Sequence, residues 1–157
     1  MKRVMFVCLG NICRSPAGEA ILRHLVEEEG LSDEIEVNSC GIGDWHVGQE
    51  AHSDMRKAAK KRGYSLNGKA KQFHPDYFEK YDYFLAAERS VLDYLEKLAG
   101  KDENLSKIHM LTDFSEEHRG EDVLDPYFGG EDHFEESLDV LEKTCKGFLE
   151  KEIMSGL

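Results

Sequence analysis

No stretch of this chain approaches the roughly 18 consecutive apolar residues that a membrane-spanning helix requires. Its four cysteines, at 8, 13, 40 and 145, form no Cys-x-x-Cys pair, so a zinc ribbon or finger is not indicated. Neither a His-Glu-x-x-His string nor an EF-hand loop occurs. No metal and no cofactor is expected. Positive charge is in short supply: Lys and Arg number 20 against 32 Asp and Glu, a formal net charge of −12. An acid excess of that size repels phosphate backbones and anionic lipid, which argues against a nucleic-acid or membrane partner. Internal repeats, low-complexity tracts and interdomain linkers are absent. The opening Met1-Lys2-Arg3-Val4-Met5-Phe6-Val7 has the charge order of a secretory leader. Its apolar run is nevertheless short of the roughly 7–15 residues of a secretory core, and it leads into Gly10-Asn11 rather than a cleavage site. A cytoplasmic, disulfide-free protein is expected.

What remains is an ordinary folding composition: 157 residues, 40% hydrophobic and 33% charged, enough for one domain spanning 1–157. Segments of two periodicities alternate. Lys2 to Val7 is a near-continuous apolar run and reads as a buried parallel strand. Pro16 to Glu29 carries a helical stripe (Ala17, Ile21, Leu22, Leu25, Val26) stopped by Gly30. A strand is expected at Ile35–Ser39, a helix at Glu50–Arg62 ended by Gly63, and a short helical turn at Asp76–Lys80. A third strand follows at Tyr81–Ala86, then a helix at Glu88–Ala99 ended by Gly100, and a fourth strand at Ile108–Leu111. The last helix, Phe134–Ile153, shows Phe134, Leu138, Leu141, Cys145 and Phe148 at steps of four and three. The order β-α-β-α-β-α-β-α implies an α/β fold with a parallel sheet and helices on both faces. Ligands bind such sheets at the carboxyl ends of strands. The unusual connection is Thr112–Glu131, about 20 residues and strongly acidic, a length that points to function or disorder.

Strand one ends in Cys8-Leu9-Gly10-Asn11-Ile12-Cys13-Arg14-Ser15-Pro16. Ser15 is a good N-cap and Pro16 a good first helical residue, so a helix is expected to begin right after Arg14. Its free N–H groups, with those of the Gly10-Asn11 turn, suit one tetrahedral oxyanion. Gly10 and Asn11 are residue types that tolerate positive φ. Arg14 adds a planar fork able to bond two phosphate oxygens. Cys8 then lies at the bottom of an anion cradle, where N–H dipoles, the helix N-terminus and Arg14 all favour thiolate over thiol. A thiolate beneath a phosphoryl group is placed for in-line attack. A lone cysteine at a strand end is more often core than catalyst. Against that, a Cys-x5-Arg-Ser/Thr string arises by chance here only roughly once in a hundred.

Val7-Cys8-Leu9-Gly10-Asn11-Ile12-Cys13-Arg14-Ser15-Pro16 resembles the signature loop of the low-molecular-weight protein tyrosine phosphatases. The likeness continues through Ser39-Cys40-Gly41, Trp45-His46-Val47-Gly48, Asp82-Tyr83-Phe84-Leu85-Ala86 and Asp125-Pro126-Tyr127-Phe128-Gly129-Gly130. It implies a four-stranded parallel sheet and a metal-independent phosphomonoesterase that forms a phosphocysteine. Phosphotyrosine proteins or peptides would be its substrates, inorganic phosphate and other oxyanions its competitors, and a monomer its working form.

Such chemistry needs a group that protonates the leaving phenolate and then activates water. Asp125 stands out because Pro126 restricts its backbone and the long acidic loop carries it, although a plain Asp-Pro turn explains it as well. The resemblance selects it, since the family's general acid is the Asp of this segment. It also makes Leu9, Gly10, Asn11, Ile12, Cys13 and Ser15 the phosphate-binding and supporting loop, with Ser15 bonded to the thiolate, a role that helix capping equally explains. Cys13 matches the family's second loop cysteine, which traps the nucleophile as a disulfide; a small filler side chain serves as well. Trp45 and Tyr127 match the walls that stack on a substrate ring, though by position alone Trp45 is more often packing. His46, His52, His74 and His133 receive no role. In one departure, Ala86-Ala87-Glu88 stands where the family often has Ala-Met-Asp, which puts a supporting Asp contact in question. In another, Tyr127-Phe128 replaces a tyrosine pair, leaving one candidate for phosphorylation.

Four rival readings remain. Arginine-phosphate phosphatases of the same family carry Thr where this chain has Ile12, and an apolar Ile12 suits a phenyl ring better. Arsenate reductases need further cysteines, and none lies between Cys40 and Cys145. A phosphocysteine phosphocarrier needs neither Arg14 nor Asp125, and a non-catalytic anion-binding module has no use for Cys8.

Overall fold

The structure, a computed structural model, describes residues 1–127 and 129–156. Four parallel strands form one sheet in the order β2-β1-β3-β4: β1 Lys2–Cys8, β2 Ile35–Gly41, β3 Tyr83–Ala86 and β4 Ile108–Met110. The register runs from Lys2↔Ile35 to Cys8↔Gly41 on one side of β1 and from Val4↔Tyr83 to Val7↔Ala86 on the other. β1 is therefore central, and the chain reverses its direction of travel across the sheet between β1 and β3. Crevices open at the carboxyl ends of strands at such a reversal, and Cys8 is the last residue of β1.

The unbroken apolar run of β1 is explained by burial on both faces. Val4, Phe6 and Cys8 belong to one core, with α1 (Arg14–Glu28) and α6 (Glu131–Phe148). Met5 and Val7 belong to the opposite core, with α4 (Arg89–Ala99). The expected stripes face these cores: Ala17, Ile21, Leu22 and Val26 of α1, and Phe134, Leu138, Leu141, Cys145 and Phe148 of α6, are all buried. Gly30 and Gly63 follow the ends of α1 and α2 (Ser53–Lys61) with φ of 71° and 91°, a backbone that glycine adopts without Cβ strain.

The boundaries differ from expectation in instructive places. α1 starts at Arg14, with Cys13 at its N-cap and no side-chain cap. Ser15 is the second helical residue rather than the cap, because its hydroxyl is engaged elsewhere, as described below. Pro16 is still tolerated, since first-turn N–H groups have no partner within the helix. α2 begins at Ser53, three residues later than expected, with His52 Nδ1 accepting from the Asp54 N–H as the cap. α3 is the single turn Tyr77–Lys80, and an unforeseen turn, α5, covers Asp102–Leu105. α6 gives way after Phe148 to a π turn over Leu149–Ile153 that keeps Leu149 and Ile153 in the core.

The long acidic connection is held rather than loose. It opens as a 3₁₀ turn, Leu111–Phe114. The Thr112 hydroxyl donates to the Glu121 carbonyl at 2.6 Å, and the Val123 N–H donates to the Ala87 carbonyl at 2.8 Å. At its base, α6 approaches so closely that a Cβ on Gly147 would collide with the Phe114 carbonyl oxygen. Gly147→Ala should therefore lower stability by about 1–3 kcal/mol through overpacking, read as a lower urea midpoint at unchanged slope. An unchanged midpoint would show that this contact is not close.

Candidate active site

Five residues link Cys8 to the start of α1, and they curl into a cradle. Asn11 has φ 59°, the one left-handed non-glycine among the described residues, and asparagine tolerates that conformation better than most side chains. This backbone turns the Asn11 N–H towards Cys8, to whose Sγ it donates at 3.3 Å. The Ser15 hydroxyl lies 2.9 Å from the same sulfur. It also accepts from Asn11 Nδ2 at 2.8 Å and faces the Cys40 carbonyl at 3.3 Å. That engagement is why Ser15 does not cap α1.

Neighbouring elements pin the cradle from outside. The Ile42 N–H donates to the Cys8 carbonyl and the Gly43 N–H to that of Leu9, both at 3.0 Å, and the His52 N–H donates to the Ile12 carbonyl at 2.8 Å. β2 comes so near that a Cβ on Gly41 would lie 2.8 Å from the Leu9 carbonyl oxygen and 2.9 Å from the Asn11 nitrogen. Among the described residues, the N–H groups of Leu9, Gly10, Ile12 and Cys13 find no protein acceptor. They are the unpartnered donors that an oxyanion requires.

Arg14 is 2% exposed and fixed at both ends of its fork. One terminal nitrogen donates to the Val123 carbonyl at 3.1 Å; the other meets Glu88 Oε1 at 3.0 Å and Asp125 Oδ2 at 3.3 Å. Burial works against its charge, but the Cys8 sulfur, Asp125 and Glu88 outweigh burial and move its pKa above the usual arginine value. Glu88, which stands where the family often has an aspartate, thus contacts Arg14. Its side chain is one methylene longer, and it reaches the guanidinium.

Asp125 carries the other carboxylate. Its Oδ1 accepts the Tyr127 N–H at 3.1 Å, a local turn that orients the carboxyl group. Asp122, three residues earlier, accepts the Arg89 N–H at the start of α4 at 2.8 Å. At Cys13, burial, then the charges of Cys8 and Asp125, push the thiol pKa up to about 12, so it remains a neutral thiol near pH 7.

A cleft of about 350 Å³ opens above Cys8. Leu9, Gly10, Ile12, Cys13 and Arg14 line it together with Trp45, Asp125 and Tyr127. Asn11 and Ser15 lie beneath it, buried. Trp45 is at the rim rather than in the core, 65% exposed, its ring lying flush on Gly43. Phe128 lies outside the described residues. His46, which had received no role, also lines the cleft. Its ring edge covers Gly10, its centroid is 5.8 Å from that of Tyr127, and its Nδ1 lies 3.0 Å from Gln49 Oε1. The signal in the sequence was its place directly after Trp45 in the same loop. Among the described residues, no group of three His, Cys, Asp or Glu side chains is arranged to hold a metal ion, and no helix is long and apolar enough to cross a membrane.

The family model for low molecular weight phosphotyrosine protein phosphatase matches residues 3–155. A low molecular weight protein-tyrosine-phosphatase of Streptomyces coelicolor is 39% identical over 149 residues, covering 94% of this chain and 91% of that protein. The crystal structure of a protein tyrosine phosphatase from Entamoeba histolytica, with Hepes in its active site, is similar with a TM-score of 0.94 and 33% identity over the full length of both chains. The Drosophila arginine phosphatase is similar with a TM-score of 0.87 and 33% identity over 96% of each chain. On these grounds the chain belongs to the low molecular weight phosphotyrosine protein phosphatase family.

Proposed function

We propose that this protein removes phosphate from tyrosine side chains of proteins or peptides through a phosphocysteine formed on Cys8. The observation that carries this reading is the position of the Cys8 sulfur: at the foot of a cleft, receiving the Asn11 N–H, beside the Ser15 hydroxyl, with Arg14 lining the same space. The thiolate is the nucleophilic form of a cysteine, and this sulfur receives the Asn11 N–H.

In the first step Sγ attacks phosphorus and the aryl C–O–P bond breaks on the phosphorus side. Asp125 gives its proton to the departing phenolate; a phosphate dianion beside the carboxyl group favours the protonated form that this requires. In the second step the Asp125 carboxylate takes a proton from water, the oxygen attacks phosphorus, and the S–P bond breaks. Inorganic phosphate leaves and the Cys8 thiolate is restored. The unpartnered N–H groups of the cradle and the Arg14 guanidinium stabilise the three equatorial oxygens of each transition state. Glu88 holds the guanidinium while phosphate takes the place of Asp125 beside it. The sulfonate buffer in the active site of the Entamoeba relative supports an oxyanion as the ligand.

Trp45, Tyr127 and Ile12 line the cleft, which supports Trp45 and Tyr127 as the walls that would hold a substrate ring. That lining favours an aryl group. The second reading is an arginine-phosphate substrate, supported by the likeness to the Drosophila arginine phosphatase. One chain carries every group the reaction uses, so the monomer suffices.

Cys8→Ser should abolish p-nitrophenyl phosphate hydrolysis yet still bind vanadate or phosphate; normal turnover by this variant would exclude Cys8 as nucleophile. Asp125→Asn should slow phenyl phosphate, whose leaving group needs a proton, by about 10²–10⁴ and p-nitrophenyl phosphate far less. Equal losses on both would remove the acid assignment. With matched peptides, kcat/KM for phosphotyrosine should exceed that for phosphoarginine and phosphoserine, and the opposite order would establish the second reading.

A further inference from the structure

Phosphate binding, in the reaction proposed above, removes one of the contacts that place the acid. In the free site Asp125 Oδ2 lies 3.3 Å from Arg14, and the bound phosphate takes that position. The carboxyl group then keeps its turn with Tyr127. Its Oδ1 accepts the Tyr127 N–H at 3.1 Å, and Pro126, the one residue between them, has a fixed φ. On the upstream side the loop is tied by the Val123 N–H to the Ala87 carbonyl at 2.8 Å. Downstream of the carboxyl group, its placement depends on what Tyr127 rests against.

Tyr127 rests against His52. The two ring centroids are 5.6 Å apart with the planes at 75°, an edge-to-face contact. The same imidazole packs on the buried Phe134 of α6, with centroids 5.2 Å and planes 35° apart. Two hydrogen bonds hold His52 in this place. Its Nδ1 accepts the Asp54 N–H at 3.1 Å as the cap of α2, and its own N–H donates to the Ile12 carbonyl at 2.8 Å. One residue thus joins the cradle, the start of α2, α6 and the acid loop. His46 packs on Tyr127 as well, but it lines the cleft, whereas His52 is not among the described residues that line it.

We propose that His52 is a positioning residue for the general acid: its ring, oriented by the α2 cap, backs Tyr127 and so holds the Asp125 carboxyl where it can give its proton to the leaving oxygen. The inference rests on the reading of Asp125 as the acid. A side chain that caps α2 but has no ring removes this contact from Tyr127. The Asp125 turn then loses its backing, and proton transfer weakens while the Cys8 cradle stays intact. Capping alone also explains a histidine at this position, so ring and cap must be tested apart.

The readout is kcat/KM for phenyl phosphate divided by kcat/KM for p-nitrophenyl phosphate. The first substrate needs a proton on its leaving oxygen and the second far less, whereas a change in ring binding or in the nucleophile enters both values and cancels. His52→Asn keeps an oxygen that accepts the Asp54 N–H but has no ring. It should lower the ratio about tenfold, with p-nitrophenyl phosphate turnover within about twofold of wild type. His52→Ser, also a capping residue without a ring, should do the same and stands as the test if His52→Asn does not fold. His52→Phe keeps a ring and loses the acceptor, and it should hold the wild-type ratio. A histidine that acts only as a cap gives the reverse order. Adding His52→Asn to Asp125→Asn should lower the ratio no further, since both act through one proton.

An unchanged ratio in His52→Asn and His52→Ser, a ratio in His52→Phe as low as theirs, or a further drop in the double variant would overturn the proposal. Asp125→Asn alone separates the two levels. If it slows both substrates equally, Asp125 is not the acid. If it slows phenyl phosphate selectively while the His52 variants keep the wild-type ratio, only the positioning role falls.

Discussion

One asparagine in a left-handed conformation holds the chemistry of this fold together. Asn11 turns the chain between β1 and α1 so that its own N–H points back at Cys8, and its amide joins Ser15, Ser39 and the Lys71 backbone. A left-handed backbone at a residue with a Cβ is unfavourable alone and persists where surrounding contacts over-determine it. Here they do: β2 presses on the cradle through Gly41, and the cap of α2 is bonded to Ile12. The sheet supplies the rigidity, because Cys8 is the last paired residue of a central strand buried on both faces.

A second constraint joins the acidic loop to this core. Arg14 is buried and charged, a costly state unless its donors are satisfied. The partners it takes, Val123, Glu88 and Asp125, come from the connection after β4 and from the start of α4. Satisfying one guanidinium thus brings together the carboxylate, the clamp and the sulfur from segments more than a hundred residues apart in sequence. The strong acid excess of the chain does not oppose anion binding at the cradle, because the local field there is set by amide dipoles and Arg14 rather than by the net charge.

The sheet and the stripes of α1, α4 and α6 were legible because burial on one or two faces imposes period and composition directly. Val4 to Val7 could hardly be anything but an interior strand. Boundaries were less legible where a side chain had a tertiary claim on it. Ser15 reads locally as a cap, yet the sulfur of Cys8 and the amide of Asn11 recruit its hydroxyl, and the helix begins at Arg14, two residues before Pro16. The π turn after Phe148 and the single turn α5 leave no periodic trace. In the site, the cradle and Arg14 lie in one contiguous string and could be read from it. Asp125 and Trp45 required the family likeness, since their neighbours in space are remote in sequence. His46 and the Glu88–Arg14 contact became visible only once the fold had brought their loops to the cleft.

The most direct measurement of the central claim is the chemical identity of the intermediate. Asp125→Ala, incubated with p-nitrophenyl phosphate and quenched in acid, should yield by mass spectrometry one phosphate on the peptide containing Cys8, bound through sulfur and lost on treatment with iodine. Phosphate on a histidine, serine or carboxylate of this chain, or release of phosphate from a variant that has no sulfur at position 8, would contradict the account.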